Sequence, residues 1–77
     1  MGIERPHLIA MVKWQGQKQC DFCGDSIRNH RTFYDATTKA GYWALMCDEC
    51  FSRYGIQRLG TGWGQEYDGK TLEKLRG

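Results

Sequence analysis

Two C-x2-C pairs, Cys20–Cys23 and Cys47–Cys50, constrain this chain more than any other feature. A domain of 77 residues buries only about 60% of the surface its unfolded chain exposes, so it needs a staple: disulfides, a metal or a partner chain. The chain opens Met1-Gly2-Ile3-Glu4-Arg5-Pro6, with no uninterrupted apolar stretch behind the charges, which is unlike a signal peptide. The longest apolar run, Leu8 to Val12, is too short to span a membrane. These features predict a reducing cytoplasm, where disulfides do not persist and paired cysteines hold metal instead.

The gap of 23 residues between the pairs is somewhat longer than in common four-cysteine zinc sites, and a hairpin can fill it. We therefore expect one structural Zn²⁺ held by Cys20, Cys23, Cys47 and Cys50. Iron also accepts four thiolates, and the spacing does not separate the two metals. Thioredoxin-like redox chemistry would need a βαβ alternation, which the chain lacks. Four protein thiolates close the coordination sphere, whereas a catalytic zinc keeps one position open. That argues for a non-enzymatic module with no small-molecule substrate. His30 is a conceivable replacement ligand, but its polar neighbours Arg28, Asn29 and Arg31 suggest a surface residue, and His7 is read likewise. The formal net charge of +2 counts neutral thiols. Four thiolates and one divalent ion cancel it, so charge alone points weakly to nucleic acid.

The pattern between and around the cysteines predicts short elements. His7–Trp14 is rich in β-formers and reads as a strand. Cys20-Asp21-Phe22-Cys23-Gly24 reads as a zinc knuckle, with Gly24 suited to a positive φ. Thr32–Ala36 and Tyr42–Met46 read as a β-hairpin. Period-two alternation places Trp43 and Leu45 on one face with Cys47, and that face is expected to pack towards the metal. Cys47–Gly55 reads as a short helix: Cys47, Cys50, Phe51 and Tyr54 form one stripe, Asp48 and Glu49 favour the dipole at its start, and Gly55 is placed to cap its end. In the tail, Asp68-Gly69 favours a hairpin joining Gln65–Tyr67 to Lys70–Leu72, against a rival helix over Lys70–Arg76. Gly60-Thr61-Gly62-Trp63-Gly64 lacks the lysine and the strand–loop–helix setting of a phosphate loop; its glycines suit a tight chain path.

The order of knuckle, hairpin and helix headed by the last two cysteines resembles the treble-clef zinc finger, over Cys20 to Gly55. The segments Trp43–Phe51 and Leu59–Tyr67, with their Gly-Thr-Gly-x-Gly-Gln-x-Tyr string, also resemble small uncharacterised zinc-finger proteins of bacteriophages and prophages. That resemblance implies a bacterial host cytoplasm and no specific activity. The expected architecture is a small α+β metal-bound domain, treble-clef-like, with extra strands from both termini. One domain spans 1–77, with a metal subdomain at about 20–55 and a Gly-rich extension at 59–77.

Treble clefs serve several functions, so the fold leaves function open. Nucleic-acid binding is one reading: Arg28, Arg31, Lys39, Arg53 and Arg58 outnumber the acids of their segment, and Tyr34, Tyr42 and Trp63 interleave them. Asp21, Asp25, Asp48 and Glu49 at the metal end oppose it. The other reading is a protein-binding adaptor or inhibitor acting on a host or phage protein, with Trp14 and Trp63 as interface residues.

Overall fold

The computed structural model describes residues 12–77. Four strands form one antiparallel sheet: β1 (Thr32–Thr37), β2 (Trp43–Cys47), β3 (Gly64–Asp68) and β4 (Lys74–Arg76), in the order β2-β1-β3-β4. One helix, α1 (Asp48–Tyr54), follows β2 without a loop. A single 3-10 turn, Ile27–Asn29, precedes β1. The molecule is thus a small α+β domain.

The central hairpin forms as its alternation predicts, with β1 and β2 in register from Phe33 opposite Cys47 to Thr37 opposite Trp43. The assignment of faces is the reverse of the expected one. Tyr34, Ala36, Ala44 and Met46 share a buried cluster with Cys20, Cys47, Cys50 and Phe51. Phe51 lies flat on Tyr34, with ring centroids 3.9 Å apart. Leu45 instead joins Ile27, Phe33 and Tyr67 in a second cluster on the other face, where Trp14 and Leu72 also pack. Trp43 is half exposed. The reason is that Cys47 ends β2: the chain turns there, so its sulfur need not follow the face set by alternation. The small side chains of Ala36 and Ala44 leave space beneath α1.

The helix ends differently from expectation. Gly55 has an extended backbone, φ −74°, rather than the left-handed cap conformation. A Cβ there would strike the Phe51 ring, so the glycine answers a close approach. The left-handed residue is Gln57, φ 68°. Its Nε2 donates to the carbonyls of Phe51 and Gly55, caring for the unpaired end of the helix.

The tail is a hairpin, as favoured, but in a different register. β3 pairs with Lys74–Arg76, not with Lys70–Leu72, and a bulge lies between Glu66 and Tyr67. The Asp68 carboxylate accepts from the backbone N–H groups of Lys70 and Thr71, and its carbonyl accepts from Leu72. This self-bonded loop replaces the expected two-residue turn. The tail does supply extra strands, and β3 lies beside β1 inside the sheet. Gly64 faces Ala36 across that pair, and a Cβ there would collide with the alanine methyl. The strand expected at His7–Trp14 lies outside the described residues except for its end. There Lys13 bridges Glu73, and the Trp14 N–H donates to the Leu72 carbonyl at 2.8 Å. Among the described residues no helix is long and apolar enough to cross a membrane.

Candidate metal centre

Cys20 and Cys23 sit on a turn that closes through the Gly24 N–H donating to the Cys20 carbonyl, 3.0 Å, with Gly24 at φ 77°. The turn is tied to the edge of β2 on both sides of Leu45. The Asp21 N–H donates to the Leu45 carbonyl at 2.7 Å, and the Leu45 N–H donates to Asp21 Oδ2 at 2.8 Å. Cys47 is the N-cap of α1 but makes no side-chain capping bond, and Cys50 follows one turn on.

All four sulfurs lie within 4.8 Å of one another. Cys23 Sγ and Cys47 Sγ are 3.9 Å apart. A tetrahedral site with metal–sulfur bonds of about 2.3 Å requires sulfurs about 3.8 Å apart. A disulfide would require about 2.05 Å, and all four cysteines are free. The donor set therefore fits one metal ion. Cys20, Cys47 and Cys50 are buried, and Cys23 is exposed.

The electrostatics of the bare cluster lead to the same conclusion. Burial opposes ionisation of Cys20, but the backbone N–H groups of Cys23, Cys47 and Phe22, with the Cys50 thiol, lower its pKa to about 7. Burial pushes Cys47 up, and the charge of Cys20 adds to that. Burial and bonding to the neighbouring cysteines push Cys50 up strongly. One thiolate forms readily and suppresses the others. A cation is what lets all four ionise together.

His30 is placed quite differently from the surface position expected for it. Its side chain is 11% exposed, wedged between two carboxylates: Nδ1 is 3.0 Å from Asp48 Oδ1 and Nε2 is 2.9 Å from Asp25 Oδ2. Burial alone would lower its pKa, but bonding to Asp25 and Asp48 raises it above the ordinary value. A carboxylate at each ring nitrogen favours the doubly protonated ring, which has no lone pair for a metal. The wedge also satisfies two of the four acids that crowd this end. Asp21 is bonded to the Leu45 N–H and to Gln17 Nε2. Only Glu49 remains without a side-chain partner among the described residues.

The five basic residues singled out in the sequence fall into two groups at opposite ends of β1. Arg28 and Arg31 lie at the Thr32 end, where Arg28 Nη2 donates to the Lys70 carbonyl and the Gly69 N–H donates to the Arg31 carbonyl. Lys39, Arg53 and Arg58 lie at the Thr37 end. There the Lys39 N–H donates to the Tyr54 carbonyl, and Arg58 stands 4.1 Å over the Trp63 ring. Trp14 and Trp63 are likewise separated. Trp14 packs edge-on against Phe33 and Tyr67, and the Trp63 carbonyl accepts from Thr37.

A buried polar chain escaped the sequence reading. Glu66, 8% exposed, accepts from the Tyr34 hydroxyl at 2.7 Å and from Arg76 Nε at 2.6 Å. Burial opposes its charge, yet these two donors hold its carboxyl below the usual range. The alternation of β3 does place Glu66 on the same face as Gly64, which was the available signal. Comparison with protein-family models, curated proteins and solved structures finds no match to this chain.

Proposed function

We propose that this chain is a non-enzymatic structural-zinc module, treble-clef-like, that binds single-stranded nucleic acid through the surface at the Thr37 end of β1. One observation carries the reading. Segments 36–47 and 50–65 meet there, and between them they contain Lys39, Arg53 and Arg58 and no carboxylate. They are joined by the Thr37 N–H to the Trp63 carbonyl, the Ile56 N–H to the Thr37 carbonyl and the bridge of Thr38 with Gly55. Tyr42 and Tyr54, 54% and 42% exposed, stand on the same segments. Cations beside exposed rings suit a backbone whose bases stack on side chains. The acids that opposed this reading are largely bonded elsewhere, Asp25 and Asp48 to His30.

Zinc in this reading ties the knuckle to α1 and takes no part in chemistry, because the four thiolates leave it no open position. Metal analysis of the purified protein should give one zinc per chain, and visible absorption of an iron–thiolate centre would refute it. Binding is tested by titrating labelled oligo-dT at two salt concentrations. Three phosphate contacts predict a slope of log K against log salt of about −2. Absence of binding at low salt removes the proposal. The resemblance to phage proteins supports an accessory role in a bacterial cytoplasm. A second reading, a protein-binding adaptor, draws on the open edge of β2. Leu45 is covered there by Asp21, while Trp43, two residues away on the same edge, is 47% exposed. Recovery of a stoichiometric protein partner without nucleic acid would favour it.

A further inference from the structure

Between the knuckle and the outer side of α1 lies a cavity of about 190 Å³, lined by Phe22, Cys23, Glu49, Cys50, Arg53 and Tyr54. Phe22 and Tyr54 form one wall, stacked with centroids 4.4 Å apart and planes at 20°. Both rings remain exposed, 36% and 42%. Glu49 and Arg53 are four residues apart on α1, hence on the same side of it. That order and spacing favour an ion pair. Yet the ion pairs among the described residues are His30 with Asp25, His30 with Asp48, and Arg76 with Glu66. Glu49 and Arg53 form no ion pair with each other, and both are exposed and line the cavity.

We propose that this cavity holds one unpaired guanine base; the inference rests on the nucleic-acid reading and specifies its site. A carboxylate accepts best from two adjacent N–H groups. Guanine alone of the four bases presents them, at N1 and N2, with the O6 and N7 acceptors beside them for a guanidinium. Glu49 takes the two donors, Arg53 takes the acceptors, and the free ring face of the Phe22–Tyr54 pair stacks on the base. The charge pattern agrees. Glu49 and the exposed Cys23 repel a phosphate but accept a neutral base, whereas Lys39 and Arg58 lie outside the cavity lining and meet the backbone, joined there by Arg53 on a strand that offers no guanine.

The test uses the metal-loaded full chain and short labelled oligo-dT strands, unmodified or carrying a single central dG, dA, dC or deoxyinosine, read by fluorescence anisotropy. A single dG should tighten binding roughly tenfold over oligo-dT, the discrimination of one bidentate pair. Deoxyinosine, which lacks the N2 amino group, should lose most of that gain. Glu49→Gln should erase the dG preference while binding oligo-dT at least as tightly, and Arg53→Met should weaken both. Equal affinity for all strands, or a dG preference that survives Glu49→Gln, overturns the guanine site and leaves the nucleic-acid reading standing. Failure of every strand to bind overturns both. The inosine comparison needs no variant, so it decides the matter even if a substitution lowers zinc content.

Discussion

Removing the metal should unfold the whole domain and not merely loosen the knuckle. Three of the eight residues in the cluster beneath α1 are cysteines of the site: Cys20, Cys47 and Cys50. The helix has 7 residues, too few to persist alone. The second cluster holds none of the four cysteines, but it lies on the other face of the same sheet, with Phe33 and Tyr34 adjacent in β1. A chain of 77 residues has a net stability of roughly 4–12 kcal/mol. Structural zinc in a four-ligand site contributes on the order of 10–16 kcal/mol near neutral pH. The metal term therefore equals or exceeds the net stability, and the apo chain should be unfolded at room temperature. The assay is a stoichiometric chelator titration followed by far-ultraviolet circular dichroism and amide NMR. Amides of Tyr67 and Leu72 report the metal-distant cluster, and those of Phe51 and Ser52 report the helix. All should lose dispersion in one transition and recover on adding zinc. Native shifts at Tyr67 and Leu72 after complete metal removal would refute the coupling of the two faces.

The remaining predictions concern single residues. Phe51→Ala removes the ring stacked on Tyr34 and should cost about 3–5 kcal/mol in denaturant unfolding of the metal-loaded protein, whereas the half-exposed Tyr54→Ala should cost under about 1 kcal/mol. Glu66→Gln should cost about 1–3 kcal/mol at neutral pH, the worth of hydrogen bonds to a charged group. Because the Glu66 pKa is depressed by folding, its contribution is present above the ordinary carboxylate range and is lost as pH falls through its folded value. The stability gap between wild type and Glu66→Gln should therefore close in acid; a gap constant down to the unfolding pH contradicts this. His30 has a raised pKa. Its contribution is complete below about pH 6.5 and is lost as pH rises through the folded value, and an imidazole NMR titration should place the midpoint above the ordinary one. Lys39→Gln, Arg53→Gln and Arg58→Gln should each flatten the salt dependence of oligo-dT binding by about 0.7. Arg28→Gln and Arg31→Gln, at the other end of β1, should leave it unchanged.

The elements that could be read from sequence are those whose cause is local. The C-x2-C turn, the β1–β2 hairpin and the cysteine-headed helix each carry their signal within a few residues, and each is present. The misreadings arise where a distant contact overrides a local rule. Gly55 looks like a helix cap, but the Phe51 ring excludes a side chain there and Gln57 takes the left-handed conformation instead. Asp68-Gly69 looks like a two-residue hairpin turn, but the Asp68 carboxylate bonds two successive N–H groups and lengthens the loop. His30 looks like a surface histidine among arginines, and only the fold brings Asp25 and Asp48 to its two nitrogens.

Four thiols in two short-range pairs sufficed to predict a cluster that could hold one ion, because a two-residue separation confines each pair to a tight turn whatever surrounds it, and the four sulfurs do converge. The sheet order was beyond reach of such reasoning. β3 joins β1 across a gap of some thirty residues, and no local preference encodes which edge a strand will choose. That choice sets Glu66 beneath Tyr34, divides the arginines between two ends of β1 and brings Trp63 to Thr37. The metal site was thus written in spacing, while the surface that would meet a partner came from long-range pairing and the burial that drives it.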